Sequence, residues 1–190
     1  MDLSVVLYLA LLAAVGLARL VELRISRRHQ REMAGRGIEK RSDPQFRWMV
    51  ALHTVVLWGA ALEVVALRRP FLPQLAAPMA VLFLCATALR WWVIHTMGAH
   101  WNVEVVASAP LGVVTTGPFR WVRHPNYLAV FVELVALPLI HTAWITALVA
   151  AAGNFWVLRH RLSLEEPVLD ANPAYRTAMA AKPRFLPKLF

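Results

Sequence analysis

The chain has 190 residues, 59% apolar and 16% charged, with a mean hydropathy of +0.53. A soluble domain of this size needs a more polar surface, so an ordinary soluble globule is excluded. The formal charge of +9 lies between apolar runs rather than in a stripe on a folded surface, so it gives no reason to invoke a nucleic-acid partner.

In chain order, the first apolar run covers residues 3–20. Asp2 precedes it, with no basic leader and no small-residue cleavage site, so it reads as a retained anchor. A polar, basic stretch follows over 22–47, its 35–43 portion reading as a short cytosolic loop. Residues 48–67 and 75–94 are two further runs of spanning length. The run over 127–158 is interrupted by Pro138, His141 and Thr142, which predicts two shorter spans joined by a tight hairpin. The expected fold is an all-α integral membrane helical bundle with five transmembrane helices and a cytosolic C-terminal helix or tail. It forms one membrane domain over 1–190: three spans and the basic 22–47 loop in 1–94, and a chemistry-bearing core in 95–190.

Basic residues set the orientation. Eight Lys or Arg fall in 22–47, six from Arg159 onward, and Arg120 and Arg123 between spans three and four, whereas only Arg68 and Arg69 separate spans two and three. The positive-inside rule then puts the N-terminus outside and the C-terminus in the cytoplasm.

Four charges remain inside spans: Arg19, Glu63, Arg90 and Glu133. Each is costly against lipid. Arg19 and Arg90 read as snorkelling to the cytosolic interface. Glu133 lies less than two helical turns past Tyr127, and either structural pairing or a place in a site at that helix start accounts for it. Cys85 is the only cysteine, which excludes a disulfide framework and a thiolate metal site. His95 and His100 lack further ligands nearby, so no metal is expected. Trp91, Trp92, Trp101 and Trp121 read as an aromatic band at the cytosolic boundary.

Two segments carry chemistry. The first is Gly117-Pro118-Phe119-Arg120-Trp121-Val122-Arg123-His124-Pro125-Asn126-Tyr127. Pro125 suits the first turn of a helix and biases His124 away from helical geometry, so a helix should start there. Arg120, Arg123 and His124 would then crowd the positive end of a helix dipole, a conflict that a bound carboxylate resolves. Interfacial basic and aromatic residues follow the same pattern without any ligand. The second segment, Arg161 to Leu169, sets Arg161 and Glu165 on one helical face and follows them with Glu166. No strand followed by GxGxxG exists, which excludes a Rossmann-type cofactor site.

Taken together, the Arg-His-Pro-Asn-Tyr segment and the Glu165-Glu166-x-x-Leu169 segment resemble the isoprenylcysteine carboxyl methyltransferase family of integral membrane enzymes, over about the last hundred residues. The resemblance implies a cytosolic pocket for S-adenosyl-L-methionine and a tunnel admitting a lipophilic acceptor from the bilayer, in a bacterial inner-membrane protein. It assigns cofactor contacts to Glu104, Leu111, Gly112, Val113, Val114, Phe119, His124, Pro125, Asn126, Tyr127, Glu165 and Glu166, and the acceptor to Arg161. Phe119 stands where the motif has tyrosine, and Ala178 at a second tyrosine position. The expected reaction is O-methylation of a small lipophilic acceptor, either the carboxylate of a prenylcysteine-like lipid or the hydroxyl of an alkylated pyrone or phenol. For a hydroxyl acceptor, Arg161, His124 or Glu133 would assist proton removal. Two other readings stand beside it. An NADPH-dependent membrane reductase of the sterol type shares the Arg-His-Pro-Asn-Tyr segment, although a carboxylate pair would repel a 2′-phosphate. A non-enzymatic membrane subunit would use the intramembrane charges for packing.

Overall fold

The computed structural model describes residues 2–34, 46–98, 101–102 and 112–187. Among them are six α-helices, α1 (Leu3–Ala34), α2 (Phe46–Ala66), α3 (Pro73–Met97), α4 (Pro125–Leu139), α5 (Trp144–Asp170) and α6 (Pro173–Met179), with a 3-10 turn over Gly117–Arg120 and no strand. Three of them, α1, α2 and α3, are long and apolar enough to cross a membrane. At 21 residues, α2 extends about 32 Å, close to the hydrocarbon thickness. The predicted α4–α5 hairpin is present, turning through Thr142 at φ 55°.

The basic stretch over 22–47 departs from expectation. Its part up to Ala34 is not loop but the continuation of α1. Arg, Glu and Gln are good helix formers, and Arg28 pairs with Glu32 one turn on, at 2.8 Å. The whole 35–43 portion, with residues 44 and 45, lies outside the described residues. The extension docks on the residues after α3: Ser26 Oγ donates to Asn102 Oδ1 at 3.0 Å, and the His29 ring bonds the Trp101 carbonyl.

Side-chain contacts define two ends of the bundle. At one end, Tyr8 donates to the Leu137 carbonyl, Thr142 Oγ1 donates to the Pro70 carbonyl at 2.6 Å, and Glu63 reaches from α2 to the start of α5. The Glu63 carboxylate accepts from the backbone N–H groups of Ile145 and Thr146, at 3.1 and 2.8 Å, and from the Thr146 hydroxyl. Those N–H groups have no intrahelical partner, and a carboxylate is favoured at the positive end of a helix. Arg69 supplies the counter-charge at 2.7 Å. Between the two ends, α2 crosses α5 closely, and a Cβ on Gly153 would stand 2.7 Å from Leu52 Cδ1.

Arg19 and Arg90 do not snorkel. Arg19 bonds Glu22 at 2.7 Å and Glu133 at 3.0 Å, while Arg90 bonds Glu22 at 2.5 Å and lies 3.7 Å from Glu133. Thr87 Oγ1 donates to Glu133 at 2.9 Å. Two guanidiniums and two carboxylates thus form one neutral buried network joining α1, α3 and α4, so each charge is desolvated against a partner rather than against lipid.

Candidate functional site

The site is assembled at the other end of the bundle, where α3 finishes, α4 begins and α5 runs out past the apolar core. Gly117 adopts φ 55°, and a Cβ there would meet Thr96 Oγ1 at 2.5 Å. Only glycine lets the chain fold back against the end of α3. From there the 3-10 turn delivers the chain to His124, which precedes α4 with extended φ (−127°), and Pro125 occupies the first helical turn as its ring favours.

The backbone N–H groups of Arg123 and His124 do not face solvent. They donate to the carbonyls of Pro183 and Arg184, at 2.9 and 2.8 Å. Residues 182–185 therefore form a strap across the helix start. Lys182 Nζ donates to the Phe119 carbonyl at 2.8 Å, and Phe185 packs its ring 6.2 Å from that of His124. Arg184 clamps Glu166 through two hydrogen bonds, at 2.8 and 2.6 Å. In turn, Glu166 stands 3.4 Å from His124 Nε2 and 3.8 Å from Arg123. The crowding of cations expected at this helix start is thus relieved in part by the chain's own carboxylate. Arg120 avoids it altogether, lying exposed over the Trp121 ring at 3.7 Å.

Burial is the largest influence on His124 and holds its pKa below the ordinary imidazole value, against the opposing pull of Glu165 and Glu166. For Glu166, burial works upward, but the hydrogen bond and charge of Arg184, with His124, keep the carboxyl below its usual range. Burial pushes the Tyr175 phenol up to about 12, so it remains a donor.

A cavity of about 180 Å³ opens beside this helix start. His124, Pro125, Asn126 and Tyr127 line it from α4, Arg161 and Glu165 from α5, and Gly112, Val113, Val114 and Phe119 from the preceding segment. These are residues that the sequence reading grouped together, and they enclose one space. Glu166 is not in its lining but behind His124. Glu133 is not brought there either: it belongs to the network with Arg19 and Arg90 and faces neither this cavity nor its neighbour. Glu104 and Leu111 lie outside the described residues.

A second, larger cavity of about 520 Å³ lies between α1, α2, α4 and α5, walled chiefly by apolar side chains such as Leu20, Leu57, Val130 and Val157. The two cavities share Trp101, Asn102, Asn126, Tyr127 and Arg161. At the junction the Tyr127 hydroxyl donates to Glu165 and accepts from Arg161 Nε at 2.8 Å, while Arg161 Nη1 donates to the Met49 sulfur at 3.3 Å.

Sequence reasoning missed several of these groups. Trp101 belongs to no interfacial band; it is 2% exposed and lines both cavities. Asn102 Nδ2, Arg123 Nε and Asn126 Oδ1 are buried at the first cavity without a partner among the described residues, which calls for a ligand or water in a native site. His53, in α2, lines the second cavity. An imidazole inside an otherwise apolar span was a signal available in the sequence.

Residues 79–171 match the isoprenylcysteine carboxyl methyltransferase (ICMT) family. The chain is 24% identical over 161 residues to the uncharacterized protein YpbQ of Bacillus subtilis, covering 84% of this chain and 95% of that protein. It is 26% identical over 159 residues to an uncharacterized protein of Haemophilus influenzae, covering 83% and 92%. The matched residues 79–171, which contain the helix start at Pro125, the α4–α5 hairpin and the Glu165–Glu166 pair, make this part of the chain similar to that family, and three helices of the chain are long and apolar enough to cross a membrane.

Proposed function

We propose that the protein is an S-adenosyl-L-methionine-dependent O-methyltransferase that holds the methyl donor in the smaller cavity and a lipophilic acceptor in the larger one. The observation that carries this reading is the meeting of the two cavities at Tyr127 and Arg161. A methyltransferase needs two binding spaces with one shared boundary, since in-line displacement depends chiefly on holding the two reactants in contact.

The residues present suit the donor. Its amino-acid carboxylate needs cationic or amide donors, which Arg123 Nε and Asn102 Nδ2 offer. Its hydroxyl and amino groups need acceptors, which Asn126 Oδ1 and Glu165 offer. His124 and Tyr175 complete the polar wall, and Trp101 the apolar one. When bound, S-adenosyl-L-methionine supplies a methyl group activated by its sulfonium charge. Tyr127 and Glu165 hold Arg161 at the boundary, where its guanidinium steadies the acceptor's reacting oxygen. The apolar walls of the larger cavity exclude water and admit a hydrocarbon tail.

Five crossings belong to the same proposal. The α4–α5 turn bonds to Pro70, and the start of α5 to Glu63, so α4 and α5 turn at the level where α2 gives way to α3. We place that end outside the bacterial inner membrane and the strap, with its cations, in the cytoplasm. The chain works as one membrane domain.

Calorimetry on detergent-purified protein tests the donor site. S-Adenosyl-L-methionine should bind, and His124→Ala and Glu165→Ala should each weaken binding more than about tenfold, the loss of roughly one charge-assisted contact. Unchanged affinity in both variants rejects the site. A thermal shift with NADPH and none with S-adenosyl-L-methionine would transfer the reading to a reductase.

A further inference from the structure

We propose that the part of α1 beyond the membrane is a docking face for anionic phospholipid, with Arg24, Arg27 and Arg31 holding head-group phosphates of the leaflet through which the helix emerges. The inference goes beyond the methyltransferase reading and does not depend on it.

At 32 residues, α1 extends about 48 Å, whereas the hydrocarbon layer takes up about 30 Å. The last three turns of the helix therefore project past it. The exposed face of α1 changes character at the corresponding point: Leu3, Leu7, Leu17, Leu20 and Val21 are exposed before it, and Arg24, Arg27, Arg28 and Arg31 after it. With 3.6 residues per turn, the exposed positions from Leu17 to Arg31 fall within an arc of about 120°. The cations thus continue the lipid-facing stripe itself and stand over the lipids that touch the span. A count of basic residues on one side of a membrane carries no such direction.

The opposite face of the helix fixes this rotation. Arg90 on α3 donates to Glu22, Ser26 Oγ donates to Asn102 Oδ1 at 3.0 Å, and the His29 ring bonds the Trp101 carbonyl at 2.9 Å. Ile25 packs against the apolar cluster that contains Val93 and Trp101. The arginine face is therefore held outward and cannot roll onto the protein. Of its four cations, Arg28 is paired with Glu32 at 2.8 Å. Arg24, Arg27 and Arg31 have no ion pair or hydrogen bond among the described residues. Arg24 and Arg31 lie about 10 Å apart along the helix axis, and a head-group layer is about 5–8 Å deep, so the three guanidiniums span the phosphate level. A guanidinium takes two phosphate oxygens at once. A lipid of net negative charge gains from these cations, whereas a zwitterionic one carries its own counter-charge. A nucleic acid answers the charge but not the placement, since the face looks out over the bilayer.

The test uses nanodiscs of equal parts palmitoyl-oleoyl phosphatidylglycerol and phosphatidylcholine. Protein is released from them in a native mass spectrometer, and the two head groups are counted among the lipids it retains. Wild type should retain phosphatidylglycerol over phosphatidylcholine by at least about tenfold, since each arginine at an anionic surface contributes about fivefold. Replacing Arg24, Arg27 and Arg31 together by glutamine should lower that ratio at least about tenfold, and Arg27→Gln alone about fivefold. The corresponding triple lysine variant keeps the charge and should keep most of the preference. Arg68→Gln, Arg159→Gln and Arg176→Gln combined remove three exposed cations from elsewhere in the chain and should leave the ratio nearly unchanged. Thermal unfolding checks that each variant is folded, and Arg27→Gln alone decides the matter if the triple glutamine variant is not. Equal retention of the two lipids by wild type, an undiminished ratio in a folded glutamine variant, or an equal loss in the charge-matched control overturns the proposal. So does a labelled oligonucleotide that binds wild type in phosphatidylcholine nanodiscs and is lost with the three arginines while the lipid ratio stays constant, which would assign the face to nucleic acid.

Discussion

Glu22 is the keystone of the buried ionic network, and Glu22→Gln is its sharpest perturbation. It accepts two hydrogen bonds from Arg19, at 2.7 and 2.9 Å, and two from Arg90, at 2.9 and 2.5 Å. Neutralising it leaves two guanidiniums facing Glu133 alone, so one cation remains buried without a counter-charge. Breaking a buried pair in this way costs about 3–5 kcal/mol, far more than the pair contributes over an apolar replacement. For a protein of this length, about 2–4 °C of melting temperature accompanies each kcal/mol, so thermal unfolding in detergent should shift down by roughly 6–20 °C. Glu22→Leu combined with Arg90→Met removes the pair together and leaves Arg19 bonded to Glu133 at 3.0 Å. That double variant should lose less than half of what Glu22→Gln loses, a coupling of at least about 2 kcal/mol. Two separate losses that simply add in the double variant would refute the idea that these four residues balance one another's charge.

Gly117→Ala should lower stability by at least about 1–2 kcal/mol, the cost of a left-handed backbone for a residue with a Cβ, and also reduce donor affinity, because the added carbon would meet Thr96 beside the cavity; calorimetry and thermal unfolding on one preparation read both. The pH dependence follows from His124, whose pKa is lower folded than unfolded. The unfolded chain takes up its proton first, so this contribution is complete above the unfolded value near 6.5 and is lost as pH falls through it toward the folded value. Melting temperature should therefore decline as pH drops from 7 to 5, and His124→Gln should flatten that part of the profile; the contribution of Glu166, whose carboxyl is held below its usual range, is lost only at more acidic pH.

Hydropathy made the second and third helices legible to within three residues at each end. Turn chemistry located both the hairpin at Pro138–Thr142 and the helix start at Pro125. The meeting of His124 with Glu165 was legible only through the pairing of two motifs, because nothing in either segment alone reports what it faces. Other features were invisible for physical reasons. A polar, helix-favouring stretch reads as loop on a hydropathy scale, which concealed the extension of α1. The pairing of Arg19, Glu22, Arg90 and Glu133 depends on how three helices are rotated about their axes, and single-span reasoning sends each arginine to the nearest water. Glu166 resembled a ligand contact because its true partner, Arg184, lies 18 residues away in an irregular segment with no pattern of its own.

The strap over 182–185 has a consequence for how the protein is made. Chains fold from the N-terminus as they are synthesised, so every helix can be laid down before Pro183 and Arg184 have been added. Until then the amides of Arg123 and His124 lack their carbonyl partners and Glu166 lacks its clamp. The wall of the smaller cavity is thus among the last features to be finished, and a nascent chain stopped a few residues short would carry the full set of helices around an incomplete imidazole mount.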